Sequence, residues 1–249
     1  MLPRPDKIAL VLDLDGTLIA TAMPTAEQPW PDVTPRPHLQ EFLQWAREHF
    51  HPLCLWSAAN STWVSRHYHD ILKPLFALGQ DFDIIWSQED CILVDTVRHA
   101  VDVRQYVADQ RLFFPRLSLP CGTTLKSAVP EPKQQPQRRR DALPRHCYLT
   151  KPLRQLTRVI RDRFRMQCDE NSVLLVDDSP ASAIFNRDNL VLVPNYGGRA
   201  DDEWLKRLRE YLELVIENYE QSSTVLSSDK IGWPRELMRA TELMFTIDL

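Results

Sequence analysis

The sequence predicts an α/β fold: a Rossmann-like parallel sheet flanked by helices. Three observations carry that expectation. Residues 8–14 (IALVLDL) are apolar almost throughout, comparable apolar runs recur at 52–56, 172–176 and 190–193, and segments of helical periodicity lie between them. An apolar run without alternation marks a strand buried on both faces. Strands alternating with helices at this spacing imply right-handed crossovers and therefore a parallel sheet.

The first strand ends in Asp15-Gly16-Thr17. Residues 20–36 hold several prolines without clear periodicity and read as a loop. A helix follows over 37–50, with Leu39, Phe42, Leu43 and Ala46 as its buried stripe. The strand at 52–56 leads through a turn at 57–60 to a helix over 61–71. The short apolar runs 82–86 and 91–94 read as sheet or sheet-edge material. A helix over 152–164, a strand at 172–176, a short helix from Pro180 and a strand at 190–193 complete the alternation. A last amphipathic helix covers 202–219, with Trp204, Leu208, Leu212, Val215 and Tyr219 at helical spacing.

We expect a single domain over 1–249, with an insertion at 96–145 and a C-terminal extension at 220–249. The middle of the insertion, SAVPEPKQQPQRRRDALPR, has the Pro-, Gln- and Arg-rich composition of a flexible loop. Its flanks, with Tyr106, Leu112, Phe113 and Phe114, can pack as a small cap over the strand ends.

The net charge of −4 argues against general nucleic-acid binding, which leaves a basic excess on a domain. No apolar run is long enough to span a bilayer, and the charges in MLPRPDKIALVLDLDG sit where a secretory signal has its apolar core. The expectation is an intracellular protein, nuclear or cytoplasmic, with no membrane partner. The five cysteines lack metal-site spacing and read as reduced thiols, with Cys54 as core.

In parallel sheets ligands bind beyond the carboxyl ends of the strands, so the polar residues there are the first candidates. They are Asp13 and Asp15, Ser57, and Asp177 and Asp178. If strand geometry persists, Asp13 and Asp15 project to one side. Four acids at one sheet edge repel unless a cation intervenes, and Mg2+ suits a set of hard oxygen ligands, which makes Asp13, Asp15, Asp177 and Asp178 the candidate metal residues. Phosphoryl transfer needs a nucleophile, a proton donor and positive charge around the phosphoryl oxygens. Asp13 can serve as the nucleophile and Asp15 as acid and base. Thr17, Ser57 and Lys151 are the candidate phosphate binders, Lys151 standing before Pro152 at an expected helix start. An isolated Asp-x-Asp, lysine or serine is most often a turn or surface residue; the order in which these occur along the chain is what carries the assignment.

DLDGTL at 13–18, Ser57, Lys151 and VDDSP at 176–180 resemble the four motifs of the haloacid-dehalogenase superfamily, the insertion falling between the second and third. More narrowly, RPHLQEFL, LWSAANSTWV and VDDSPASAIFNRDN resemble the FCP/SCP/NIF-type phosphatases that act on the RNA polymerase II carboxyl-terminal domain. The resemblance implies a Mg2+-dependent protein serine/threonine phosphatase with an aspartyl-phosphate intermediate and a phosphoprotein or phosphopeptide substrate. It also implies that Asp178 is a magnesium ligand and that Asp177 supports the lysine or the metal. The chain departs from that subgroup at Gly16, where Glu is common, and at Pro152, where Asp is usual. Two other readings share these residues. One is a small-molecule or nucleic-acid-end phosphatase, with Arg138, Arg139 and Arg140 contacting backbone phosphates; the other is a catalytically silent scaffold.

Overall fold

The computed structural model describes residues 8–22, 32–95, 147–222 and 224–225. Five strands form one parallel sheet: β1 (Ala9–Leu12), β4 (Leu53–Trp56), β5 (Ile84–Trp86), β8 (Val173–Asp177) and β9 (Leu190–Leu192), in the order β5-β4-β1-β8-β9. The chain leaves central β1 toward β4 and β5, then returns on the other side through β8 and β9. The reversal of strand order at β1 is where an open α/β sheet leaves a crevice at its carboxyl edge.

Strands β1, β4, β8 and β9 are buried from end to end because helices cover both faces of the sheet, whereas edge strand β5 is exposed at Ile85. Leu10, Leu12, Leu53, Leu55, Leu174 and Val176 join one core cluster with α1 (Leu39–His49) and α4 (Trp204–Ser222). Ala9, Val11, Cys54, Trp56, Val173 and Leu175 point the other way and pack with Leu153, Leu156 and Ile160 of α3 (Leu153–Phe164). Successive residues of each strand thus serve opposite layers, which is why the sequence shows continuous rather than alternating hydrophobicity. In α4 the buried stripe is Leu205, Leu208, Tyr211, Leu212 and Val215, with Trp204 and Tyr219 at its margin.

Three expectations need correction. The segment read as a loop after the first motif carries a hairpin, with β2 (Ile19–Thr21) antiparallel to β3 (Val33–Pro35). Three-residue strands are too short to show a period of two, and Pro35 disguises one of them. The helix after the second motif, α2 (Ser61–His67), stops four residues earlier than expected and continues as a π turn over Tyr68–Leu72 and a 3₁₀ turn over Lys73–Leu75. Pro152 is the extended residue before α3, not its first helical residue.

Strands β6 (Ile92–Asp95) and β7 (Cys147–Thr150) form a separate two-stranded sheet. The chain divides into two compact units, Val94–Tyr148 and the remainder, with boundaries inside these two strands. The expected insertion at 96–145, including Arg138, Arg139 and Arg140, lies outside the described residues, as does most of the 220–249 extension. No helix among the described residues is long and apolar enough to cross a membrane.

Candidate active site

Asp13 follows β1 and is buried, with its backbone N–H donating to Val176 O at 2.9 Å. Lys151 follows β7 and is just as enclosed; its N–H donates to Ser182 O at 2.8 Å. Its Nζ donates to Asp13 Oδ1 and to Asp177 Oδ2, each at 2.6 Å. Asp177, the last residue of β8, accepts on its other oxygen from Ser179 N at 2.8 Å. Burial disfavours the Lys151 ammonium, but the Asp13 and Asp177 carboxylates outweigh it and hold its pKa above the usual lysine range. Burial pushes the Asp13 carboxyl well up; Lys151 opposes that shift, and Asp177 adds to it.

Asp178 is half-buried, and Asn195 Nδ2 donates to its Oδ2. Burial raises its carboxyl pKa, the Asn195 hydrogen bond lowers it, and Asp177 raises it again, leaving it above the ordinary aspartate range. Asp13, Asp177 and Asp178 each offer one carboxylate oxygen, all within 4.8 Å of one another. Three carboxylates face one ammonium here, so the cluster lacks positive charge, and hard oxygens are the ligands a magnesium-like cation takes. The residues therefore fit such an ion. Both oxygens of Asp177 are already engaged, which leaves Asp13 and Asp178 as the better-placed ligands.

Gly16 keeps this cluster open. Its φ is +80°, and a Cβ there would lie 2.4 Å from both Asp178 Oδ2 and Asn195 Nδ2. A glycine at this position has a local cause: the turn needs a left-handed residue, and Asp178 occupies the side-chain space.

Asp15 is directed elsewhere. Strand β1 ends at Leu12, and the chain then turns tightly, with Leu18 N donating to Leu14 O at 2.9 Å and Gly16 N to Ile19 O at 2.8 Å. The period of two is lost, so Asp13 and Asp15 do not share one set of partners. Trp63 Nε1 donates to Asp15 Oδ1 at 3.0 Å and to Oδ2 at 3.2 Å. Ser57 Oγ donates to Oδ2 and Thr21 Oγ1 to Oδ1, each at 3.3 Å. Of the four candidate metal acids, Asp13, Asp177 and Asp178 form the close group among the described residues, and the Asp15 carboxylate lies outside it.

Ser57 is buried at the end of β4; its hydroxyl accepts from Ala59 N at 3.0 Å. Thr17 is fully enclosed, and its hydroxyl has no hydrogen-bond partner among the described residues. Its carbonyl accepts from Arg36 Nη1 at 3.0 Å. The Arg36 guanidinium, itself buried, also reaches Pro194 O and the Asp202 carboxylate, tying the first motif to the loop after β9 and to the start of α4. Sequence reasoning missed Trp63, Asn195 and Arg36. Asn195 lies just past a strand, so the rule that singled out Asp13 and Asp177 could have found it.

A phosphatase family's sequence pattern matches residues 8–111 and 129–224: NLI interacting factor-like phosphatase. The chain belongs to this family. Fold comparison gives Fcp1, an essential RNA polymerase II CTD phosphatase, at 14% identity and a TM-score of 0.39, over 96% of this chain and 61% of that one. A fission yeast Fcp1 variant bound to beryllium fluoride gives 13% identity and a TM-score of 0.37, over 96% and 62%. The chain thus spans about three-fifths of the length of either structure. Both likenesses are distant, and the assignment rests on the family match. No curated protein sequence matches. The first motif, Ser57 and the β8 acids all lie in the matched stretches.

Proposed function

We propose that the chain is a Mg2+-dependent phosphatase that works through an aspartyl-phosphate on Asp13 and acts on phosphoserine or phosphothreonine in proteins. The observation that carries this reading is the buried lysine held at 2.6 Å from both Asp13 and Asp177, beside a third carboxylate, in a chain of a phosphatase family. Lys151 orients the Asp13 carboxylate by taking Oδ1, which leaves Oδ2 to attack phosphorus. As the Asp13 O–P bond forms, the bond from phosphorus to the leaving oxygen breaks, and Asp15 delivers a proton to that oxygen. Water then attacks phosphorus and gives its proton to Asp15, which releases Asp13 and inorganic phosphate. Ser57, with its hydroxyl at the end of β4, is the neutral donor to a phosphoryl oxygen, and Lys151 is the cationic one. Asp13 and Asp178 are the residues that would hold Mg2+, which would supply positive charge to the phosphoryl oxygens.

Rapid acid quench with a 32P-labelled phosphopeptide tests the intermediate. The expected result is an alkali-labile label on the wild-type chain that is lost in Asp13→Asn, whose steady-state turnover falls below about 1% because an amide forms no acyl-phosphate. Chelation should stop turnover, and Mg2+ should restore it. A panel of phosphopeptides and 3′-phosphorylated oligonucleotides tests substrate class; preference for the oligonucleotides would transfer the proposal to nucleic-acid ends.

A further inference from the structure

The donor that holds the Asp15 carboxylate is itself held on three sides. Trp63 N donates to the capping side chain of Asn60 at 2.9 Å, Trp63 O pairs with His67 Nδ1 at 2.9 Å, and the indole lies against the His67 ring at a 37° tilt with centroids 3.9 Å apart. Because that partner is a carbonyl, Nδ1 of His67 carries the proton. An indole N–H donates and never accepts, and it lies in the ring plane, so a carboxylate straddling it at 3.0 and 3.2 Å has its direction fixed by the ring. The other two donors to Asp15, Ser57 and Thr21, are rotatable hydroxyls at 3.3 Å. They can turn away when a leaving oxygen arrives; the indole cannot.

We propose that Trp63 is a positioning residue that sets the direction in which Asp15 passes its proton to the leaving oxygen. This rests on the assignment of Asp15 as acid and base made above. Proton transfer falls off steeply with misalignment, and a carboxylate fixed before substrate arrives needs no reorganisation at the moment of bond breaking. The balance of the step is unchanged: the Asp13 O–P bond forms, the P–O bond to the leaving group breaks, and the Asp15 proton ends on the departing oxygen.

Trp63 also packs against the core, so the test must separate alignment from packing. The comparison is kcat/KM for 4-nitrophenyl phosphate, whose leaving group departs as an anion, against a phosphoserine peptide, whose alkoxide must be protonated. Trp63→Phe keeps an aromatic ring on His67 and removes the N–H. Loss of aligned proton donation should lower kcat/KM for the peptide by about tenfold or more and for the aryl ester by less than about threefold. Equal losses on both substrates would make Trp63 a packing residue and overturn the proposal, as would no loss on either. Where Phe disturbs the fold, as judged by melting temperature, benzothienylalanine placed at position 63 keeps the indole shape with sulfur in place of N–H and gives the same comparison. Asp15→Asn is measured alongside. If it retains full activity on the peptide, the assignment of Asp15 and the role of Trp63 fall together; if it is inactive while the Trp63 variants match the wild type, only the role of Trp63 falls.

Discussion

Two carboxylates leave the same turn after β1 and are held by opposite means. Asp13 is buried, charge-paired and shares a lysine with a second aspartate. Asp15 is half-buried, and its donors among the described residues are neutral, an indole and two hydroxyls. The contrast matches the two tasks proposed for them. A nucleophile gains from a fixed cation that offsets the charge of an incoming phosphoryl group. An acid and base has to gain and lose a proton in each turnover, and a permanent ion pair at 2.6 Å would hold it in one state. Separation of the tasks also shows in the backbone, since β1 stops before Asp13 and the turn at Gly16 sends Asp15 toward α2.

The hardest test of the contrast is Lys151→Ala. On the charged side, removal of the ammonium leaves Asp13 and Asp177 buried without their shared partner, a change that costs about 3–5 kcal/mol in comparable buried pairs. The expected result is a lower urea midpoint together with a fall in kcat of roughly 10²-fold or more, because the charge matters most in the transition state. A rise in KM alone, with kcat and stability kept, would mean that the lysine is an ordinary binding residue and that the two sides of the site do not differ as described.

Much of this site was legible in the sequence because strand ends are legible. Continuous apolar runs located the strands, and the rule that ligands gather at their carboxyl ends brought Asp13, Ser57, Asp177 and Asp178 to one edge, where the fold places them. Lys151 emerged from the order of the motifs and from its place before a helix start; it does precede α3, although Pro152 is the extended cap rather than the first helical residue, and the lysine backbone is held by the Ser182 carbonyl. The hairpin at 19–35 was hidden by its three-residue strands. Trp63 was hidden for a different reason: an aromatic residue in the first turn of an amphipathic helix reads as core, and nothing in the local pattern shows that its N–H meets an acid 48 positions earlier. Long-range polar pairs of this kind have no periodicity for a sequence reading to detect.

A smaller effect is expected at Gly16, where the two sides meet. Gly16→Ala puts a Cβ into the Asp178 carboxylate and asks a residue with a side chain to hold a left-handed φ, which alone costs about 1–2 kcal/mol. Displacement of Asp178 should raise the Mg2+ concentration for half-maximal activity by about tenfold, in line with the cost of misplacing a metal ligand's support. Turnover at saturating Mg2+ should recover most of its wild-type value, since Asp13, Asp15 and Lys151 are untouched. An unchanged Mg2+ requirement would remove Asp178 from the metal site.

The mildest change belongs at the rim of the charged side. Asn195 is exposed and gives Asp178 one hydrogen bond, so Asn195→Ala should weaken Mg2+ by a few-fold, in keeping with the roughly 1–3 kcal/mol of a charge-assisted hydrogen bond reduced by exposure. The pH dependence gives the effect a sign. Burial raises the Asp178 carboxyl, and the Asn195 hydrogen bond is the main influence lowering it. Without Asn195 the carboxyl protonates at a higher pH, and a protonated carboxyl is a poor ligand for the cation. The deficit in Mg2+ affinity should therefore be largest in mildly acidic buffer and shrink as pH rises. Mg2+ titrations of activity at several pH values measure it directly. A deficit that grows with pH would mean that Asn195 acts on something other than Asp178, and a deficit as large as that of Asp178→Ala would mean that the exposed rim is as essential as the buried cluster it borders.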